Sequence, residues 1–476
     1  MKEINVDSSI WKLAKAYRTG QLFPSEVIDN YLKNIDKADQ KLQAFEVLAK
    51  DKAIAAADKA DKIFVNHKAS KLLLGIPFAV KDIFDVNGFV TGNGQKRANS
   101  QAAQRTATVV ERLFAAGAIM LGKTKTVEIA MGGWGINSIL GTPWNPWDEK
   151  IKRVPGGSSS GSAVAVAAGL SPFAIGSDTG GSVRLPAAFC GVVGLNVTAN
   201  LLPTEGIMPL SRTFDTPGPI TNTVLDAAIL FQVMRGDDID RIKKQLEEGV
   251  GFFSGSQSND ALEGYRLGAI NDFEREFCTD DVLRAYDFAL EKLVDQGAIV
   301  EKISPRLCYS EIAMSIGDLI NSEAFSFHGD DYQSPDFPTT KYVRDRILAG
   351  ANITLAHREE ILEHRKQTQI KFFDDIDKFH AIITPTTPTT AIPVSTIQPS
   401  INVSHFTRPI NFLGMCALAV PIDIGGDGLP TSLQIAARAG EEDIALHIGV
   451  EFEKIRGPFR KPQIYEKHLI CPCHTS

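Results

Sequence analysis

Two glycine-serine loops and one lysine inside an apolar run are the residues of this chain with the most chemistry in them. The loops are Pro155-Gly-Gly-Ser-Ser-Ser-Gly-Ser-Ala163 and Gly176-Ser-Asp-Thr-Gly-Gly-Ser-Val-Arg184. In the second, Ser182 follows Thr179-Gly180-Gly181, and two glycines in succession free the backbone to turn its N–H groups toward one point. Such a nest cradles an anion, and next to a hydroxyl it becomes an oxyanion hole, with Ser182 as nucleophile. A serine hydroxyl is inert until a base takes its proton. Lys81, in Gly75-Ile-Pro-Phe-Ala-Val-Lys-Asp82, serves as that base only if it is neutral, and burial beside Ile76–Val80 lowers its pKa because desolvation penalises the charged form. Ser158 or a neighbour then bridges the two, taking the proton from Ser182 and handing one to Lys81. Asp178 and Arg184 are expected to pair and hold the loop, a structural role.

Each residue also has a plainer reading. Lys81 can snorkel to solvent or pair with Asp82 or Asp85. Ser158 to Ser160 can simply cap a helix. Gly157-Ser-Ser-Ser-Gly161 formally fits the nucleophile elbow G-x-S-x-G, which requires a downstream acid and histidine; His380 and His405 are the nearest candidates, and neither stands in a motif. Gly117-Ala-Ile-Met-Leu-Gly-Lys-Thr124 matches the P-loop pattern, but its middle positions are an apolar strand, not a phosphate-cradling loop. Cys471-Pro-Cys-His474 lacks two further ligands at metal-site spacing, so no metal is expected.

The elements that position these residues follow from periodicity. Ser9 to about Lys62 reads as helices, the second beginning at Pro24-Ser25-Glu26. Leu72–Asp85 carries an apolar strand, Thr106–Ala116 an amphipathic helix and Ala118–Leu121 a strand. Glu128 to Trp147 is a glycine- and aromatic-rich loop. Ala163–Ala168 is a small-residue helix stopped by Gly169, able to lie very close to its neighbours, and Phe173–Ile175 and Val192–Leu195 are strands. Gly206–Pro219 reads as irregular, Thr223–Val233 as helix, and Asp237 to about Ser258 as a polar hinge or surface excursion. Arg266–Ile270 begins a strand, Asp280–Gln296 a helix, and Glu311 to about Phe373 is mostly helical. His380–Thr384, Ala417–Pro421 and Ser432–Ala436 are strands and Glu442–Ile455 a closing helix. Strand-helix alternation predicts an α/β sheet.

Composition excludes several classes. Over 476 residues, 43% hydrophobic and 22% charged content is ordinary for a soluble globular chain. A net charge of −7 gives no general pull toward nucleic acid or an anionic membrane. The N-terminus has no apolar signal region and no run is long enough to span a bilayer. Six scattered cysteines, Cys190, Cys278, Cys308, Cys416, Cys471 and Cys473, form no disulfide framework and suit a reducing cytoplasm.

Taken together, the two serine loops, Gly75–Asp82, Gly194-Leu-Asn-Val-Thr198, Leu418-Ala-Val-Pro421 and Gly428-Leu-Pro-Thr-Ser-Leu-Gln434 closely resemble the amidase signature enzymes. The resemblance implies an α/β fold, a mixed central sheet wrapped by helices in one large domain. It implies Ser182 as acyl-forming nucleophile, Ser158 after a cis peptide as bridging serine, Lys81 as base, and an oxyanion hole from the N–H groups of Thr179, Gly180, Gly181 and Ser182. The expected layout is an N-terminal helical region 1–62, a core with the motifs 63–236, a helical cap 237–380 with a strand near 266–270, the rest of the core sheet 381–460, and a tail 461–476. Ser160 stands where many members have glycine, and Asn196 and Val197 replace a common Lys-Pro; only local effects are expected. The implied reaction is hydrolysis of a small-molecule amide with no cofactor, by a stand-alone amidase for which a homodimer is allowed. The alternatives are the A-type subunit of an amidotransferase that works on mischarged tRNA, and a scaffold that has lost the chemistry. Leu210-Ser-Arg-Thr-Phe-Asp-Thr-Pro-Gly218 looks more like stand-alone members. Met131, Gly132, Trp134 and Ser159 are the candidate substrate contacts, with Ile136 and Phe406 either walling an acyl pocket or packing. Arg408 meets either a carboxylate or a backbone carbonyl.

Overall fold

The computed structural model describes residues 9–66, 71–96, 101–248, 261–303, 309–398 and 401–464. Its organising element is one mixed sheet of eleven strands among these residues: β1 (Phe45–Leu48), β2 (Pro77–Lys81), β3 (Ile119–Thr124), β4 (Phe173–Asp178), β5 (Val193–Asn196), β6 (Thr216–Thr221), β7 (Arg266–Ala269), β8 (Ile299–Lys302), β9 (Ala381–Pro385), β10 (Cys416–Ile424) and β11 (Pro430–Ala437). The order across the sheet is β1-β3-β2-β4-β6-β5-β10-β11-β9-β7-β8. β3, β2 and β4 run parallel, as do β9, β7 and β8, while the pairings from β4 through β11 to β9 are antiparallel. Helices surround the sheet, so the fold is the expected α/β domain with a mixed sheet.

The parallel stretch positions the chemistry. Parallel neighbours need a crossover, supplied by the helices Thr108–Ala115 and Ser160–Ala167, and every residue of β2, β3 and β4 is buried. Open α/β sheets present their ligand sites at the carboxyl ends of such strands, where Lys81 closes β2 and Asp178 closes β4. The helix Ser160–Ala167 is buried at every position. Its small residues are required: a Cβ on Gly161 would sit 2.2 Å from the Ala44 carbonyl oxygen and 2.7 Å from Lys125 N.

Several elements differ from expectation. The N-terminal helical region contains β1, lodged between the helices Pro24–Leu42 and Lys50–Val65 and paired antiparallel with β3. Part of the turn-rich Gly206–Pro219 stretch enters β6, a central strand paired antiparallel with β4 and β5, where a Cβ on Gly218 would come within 2.2 Å of the Leu195 carbonyl oxygen. The segment read as a polar hinge forms the helix Ile239–Glu248 before passing beyond the described residues, and β8 adds an edge strand next to β7. The Gly117–Thr124 stretch lies largely in β3, as its apolar middle required. Among the described residues no helix is long and apolar enough to cross a membrane, and no three His, Cys, Asp or Glu side chains gather to hold a metal. Cys471-Pro-Cys-His474 lies outside the described residues.

Candidate active site

Lys81 is the centre of the site. It is fully buried at the end of β2, with Nζ 2.7 Å from Ser158 Oγ and 2.8 Å from Ser177 Oγ. Burial lowers its pKa from 10.5 to about 7, against the opposing pull of Asp215 and Asp178. The pairing with Asp82 or Asp85 does not occur. Asp82 holds Lys123 at 2.7 Å, and the Asp85 carboxylate accepts from Thr91 Oγ1 at 2.9 Å. Lys123, the lysine of the P-loop-like string, also donates to the Val90 carbonyl at 2.8 Å and is therefore a structural clamp.

The first serine loop turns through a cis peptide between Gly157 and Ser158. The Ser158 carbonyl accepts from Thr126 Oγ1 at 3.0 Å, which fixes the backbone that aims Ser158 Oγ at Lys81. Ser159 N–H donates to the Ser182 carbonyl at 3.1 Å and stitches the two loops together. The Ser159 hydroxyl accepts from Ser177 N at 3.2 Å and donates to the Ser177 carbonyl at 3.3 Å. Ser159 is thus a buried strap, not the substrate contact expected from the sequence. No serine side chain caps the helix that follows: Ser159 occupies the cap position without a side-chain cap bond.

Ser182 differs from the other loop serines in being reachable, 8% exposed where Ser158, Ser159 and Ser160 are at 0%. Its loop is held from below by Asp178. That carboxylate accepts from Gly181 N at 2.7 Å, Val183 N at 3.1 Å and Asn411 Nδ2 at 3.0 Å, and from Arg184 Nη2 and Nε at 2.9 and 3.0 Å. Arg184 continues to Gln434 Oε1 at 2.8 Å and Asn411 Oδ1 at 2.6 Å. Burial alone would raise the Asp178 pKa; the Arg184 charge and these hydrogen bonds outweigh it and hold the group below its ordinary value. The expected Asp178–Arg184 pair is present and fully buried. One expectation needs correction: Gly181 N–H points down into Asp178 and not toward a ligand, because the carboxylate lies beneath the turn. Among the described residues the N–H groups of Thr179, Gly180 and Ser182 have no backbone acceptor. Gly181 itself has φ +120°, and a Cβ there would lie 2.3 Å from Thr407 Oγ1.

Three residues of this neighbourhood are invisible to sequence reading. Ser177 lies in the second serine loop with nothing local to set it apart; its place on β4, beside β2, puts it against Lys81. Asp215 accepts from Thr179 Oγ1 at 2.6 Å and from Leu210 and Ser211 N–H at 2.8 and 2.9 Å, with its pKa raised to about 6 by burial. Glu323 accepts from Thr213 Oγ1 at 2.6 Å and Arg358 Nη2 at 2.8 Å. No local motif marks either acid: the side chains that engage them, Thr179 for Asp215 and Thr213 and Arg358 for Glu323, come from distant segments.

A narrow cleft opens above Ser182, lined among others by Met131, Gly132, Thr179, Gly180 and Arg408. Met131 and Gly132, two of the candidate substrate contacts, thus line the cleft beside Ser182. Trp134 does not line it; its ring stacks on Phe189, centroids 6.0 Å apart, in a separate apolar cluster that also takes Ile136. Phe406 is core. His380 Nδ1 accepts from Arg266 N at 3.0 Å and His405 Nε2 lies 2.6 Å from Glu274, so both candidate histidines are engaged away from the serines.

A family model described as Amidase matches residues 26–446. The chain belongs to the amidase signature family. Among curated relatives, the A-type subunit of the glutamyl-tRNA(Gln) amidotransferase of Halothermothrix orenii is 33% identical over 462 residues, covering 90% of this chain and 93% of that protein. A solved structure reported for a vestigial protein complex bearing on the origins of an s-triazine catabolic enzyme superposes with TM-score 0.85 at 28% identity, covering 95% of this chain and all of that chain. The corresponding A-type subunit of the glutamyl-tRNA(Gln) amidotransferase of Thermotoga maritima superposes with TM-score 0.79 at 27% identity, covering 97% of this chain and 99% of that chain.

Proposed function

We propose that this amidase hydrolyses a carboxamide through an acyl-enzyme on Ser182. The observation that carries the reading is a fully buried amine, its pKa lowered to about 7, 2.7 Å from the hydroxyl of Ser158. A neutral Lys81 has one lone pair and two N–H bonds: one N–H satisfies Ser177, and the lone pair faces Ser158. Ser182 Oγ attacks the carbonyl carbon; its proton passes to Ser158, whose own proton passes to Lys81. The N–H groups of Thr179, Gly180 and Ser182 take the developing oxyanion. The C–N bond then breaks as the relay returns the proton to the leaving nitrogen, and water cleaves the ester by the same route.

A phenylmethylsulfonyl fluoride adduct located by mass spectrometry tests this. Wild type should carry one adduct on Ser182, and Ser182→Ala none, with carboxamide turnover down about a hundredfold or more. Turnover surviving in Ser182→Ala would end the proposal.

The names of the curated relatives favour a second reading, in which this chain is the A-type subunit of an amidotransferase for glutamyl-tRNA(Gln). Both readings use the same relay. Copurification of stable partner subunits and tRNA, with weak turnover by the isolated chain, sides with the amidotransferase; full turnover by the isolated chain sides with the stand-alone enzyme.

A further inference from the structure

Glu128 is a buried carboxylate bound to two helices that border the cleft. Tyr332, near the end of the helix Tyr309–Gln333, donates its hydroxyl to Glu128 Oε1 at 2.8 Å, and that hydroxyl accepts from Gln95 Nε2 at 2.9 Å. Thr340, the N-cap of the helix Lys341–Gly350, reaches Glu128 Oε2 with its N–H at 3.2 Å and its hydroxyl at 3.1 Å. These donors are neutral, and the positive end of the second helix favours the negative charge. The same two helices bring Ile320 and Arg346 to the cleft that contains Ser182.

Along its own chain Glu128 opens a turn that local preference disfavours. Ile129 and Ala130 follow with φ +42° and +58°, the left-handed region, which a β-branched side chain keeps only where the surroundings enforce it. Ile129 N donates to the Asn93 carbonyl at 2.8 Å, Ala130 N to the Val127 carbonyl at 2.9 Å and Met131 N to the Glu128 carbonyl at 3.0 Å. The turn grips the first serine loop at both ends. Val127 N donates to the Ser158 carbonyl at 3.3 Å, beside Thr126 Oγ1 at 3.0 Å, and the Gly133 carbonyl accepts from Gly157 N at 2.8 Å. Between these points Ala130, Met131, Gly132 and Gly133 wall the cleft. One side chain thus joins the two helices to the segment that sets both the cleft wall and the Ser158 backbone.

We propose that Glu128 is a positioning residue for the hydrolysis: by seating the helices Tyr309–Gln333 and Lys341–Gly350 on the 127–133 turn, it holds Ser158 and the cleft wall in register with Ser182. This deepens the reading of Ser182 as nucleophile and rests on it. The test is the rate at which phenylmethylsulfonyl fluoride modifies Ser182, followed by mass spectrometry from pH 6 to 9 at a temperature where each variant is folded. Glu128→Gln keeps the size and removes the charge that Tyr332 and Thr340 bind; Tyr332→Phe keeps the ring and removes one donor. Each should slow the high-pH rate about ten- to a hundredfold, the range for a hydrogen bond to a charged group. The pH midpoint should stay that of wild type, because Lys81 keeps its bonds to Ser158 and Ser177. The double variant should be no slower than the slower single one, since both break the same contact. An unchanged rate in either single variant, a moved midpoint, or losses that multiply in the double variant overturns the proposal. A role confined to stability lowers the melting temperature and leaves the rate of the folded protein unchanged, which is the first of those outcomes. Tyr332→Phe decides alone if Glu128→Gln does not fold. If wild-type Ser182 does not label at all, the nucleophile reading falls separately, and amide hydrogen exchange decides the clamp. Exchange at Ile129–Met131 that is at least tenfold faster in Glu128→Gln supports it; unchanged exchange overturns it.

Discussion

Replacing Lys81 with methionine should abolish chemistry and stabilise the protein, and the second effect should fade with pH. The fall of the Lys81 pKa from 10.5 to about 7 is, at about 1.4 kcal/mol for each tenfold change in proton affinity, a penalty of roughly 5 kcal/mol on folding with lysine at this position near neutrality. The unfolded chain binds a proton at Lys81 up to pH 10.5, whereas the folded chain releases it near 7. Between those values the unfolded state holds more protons, so wild-type stability rises with pH. Methionine has no such dependence. It forfeits the bonds to Ser158 and Ser177, at about 1 kcal/mol each, at every pH. Lys81→Met should therefore exceed wild type by about 3 kcal/mol at pH 6, and nearly all of that difference should vanish by pH 9. Urea unfolding at the two pH values measures it. In parallel, the rate of Ser182 labelling by phenylmethylsulfonyl fluoride in wild type should climb through a midpoint near 7, as neutral Lys81 forms, and be lost in the variant. A stability difference flat from pH 6 to 9, together with labelling indifferent to pH, would refute the buried-base argument.

Two further outcomes follow from the same structure. Gly181→Ala places a Cβ 2.3 Å from Thr407 Oγ1 at φ +120°, so it should lower stability by at least about 2 kcal/mol and silence Ser182 labelling; an unshifted melting curve contradicts this. Asp226, buried and accepting from Ile10 N at 2.9 Å, has its pKa raised from 3.8 to about 7 by burial, with Glu453 adding to it. Its native carboxyl keeps a proton that the unfolded chain has lost, so stability falls as pH rises across that window. Asp226→Asn should match wild type near pH 4 and exceed it by roughly 2–4 kcal/mol at pH 7.5; parallel unfolding curves at the two pH values would count against it.

The sequence made the centre of the site readable because its residues are locally improbable. A lysine closing an apolar strand and two paired glycines before a serine are hard to place elsewhere, and Lys81 and Ser182 are indeed brought to neighbouring loops by parallel strands. What stayed hidden was set by distant contacts. Trp134 stands in a functional-looking loop yet stacks on Phe189, and Ser159 sits beside Ser158 yet faces β4. Asp215 and Glu323 acquire meaning only when Thr179 and Arg358 arrive. Among the strands, β6 was masked by Pro217, Gly218 and Pro219, which read as turn residues, and β8 by its half-exposed edge position. The helix Ile239–Glu248 carries Ile239, Ile242 and Leu246 at helical spacing, a signal overshadowed by the surrounding charges.

The clamp under the Ser182 loop needs residues from the last quarter of the chain. A ribosome that has delivered residues through 400 has already made Lys81, Ser158, Ser177 and Ser182, but Asn411 and Gln434, which complete the grip on Arg184 and Asp178, are still inside or not yet translated. A fragment ending at residue 400 lacks both residues and should not label at Ser182 with phenylmethylsulfonyl fluoride.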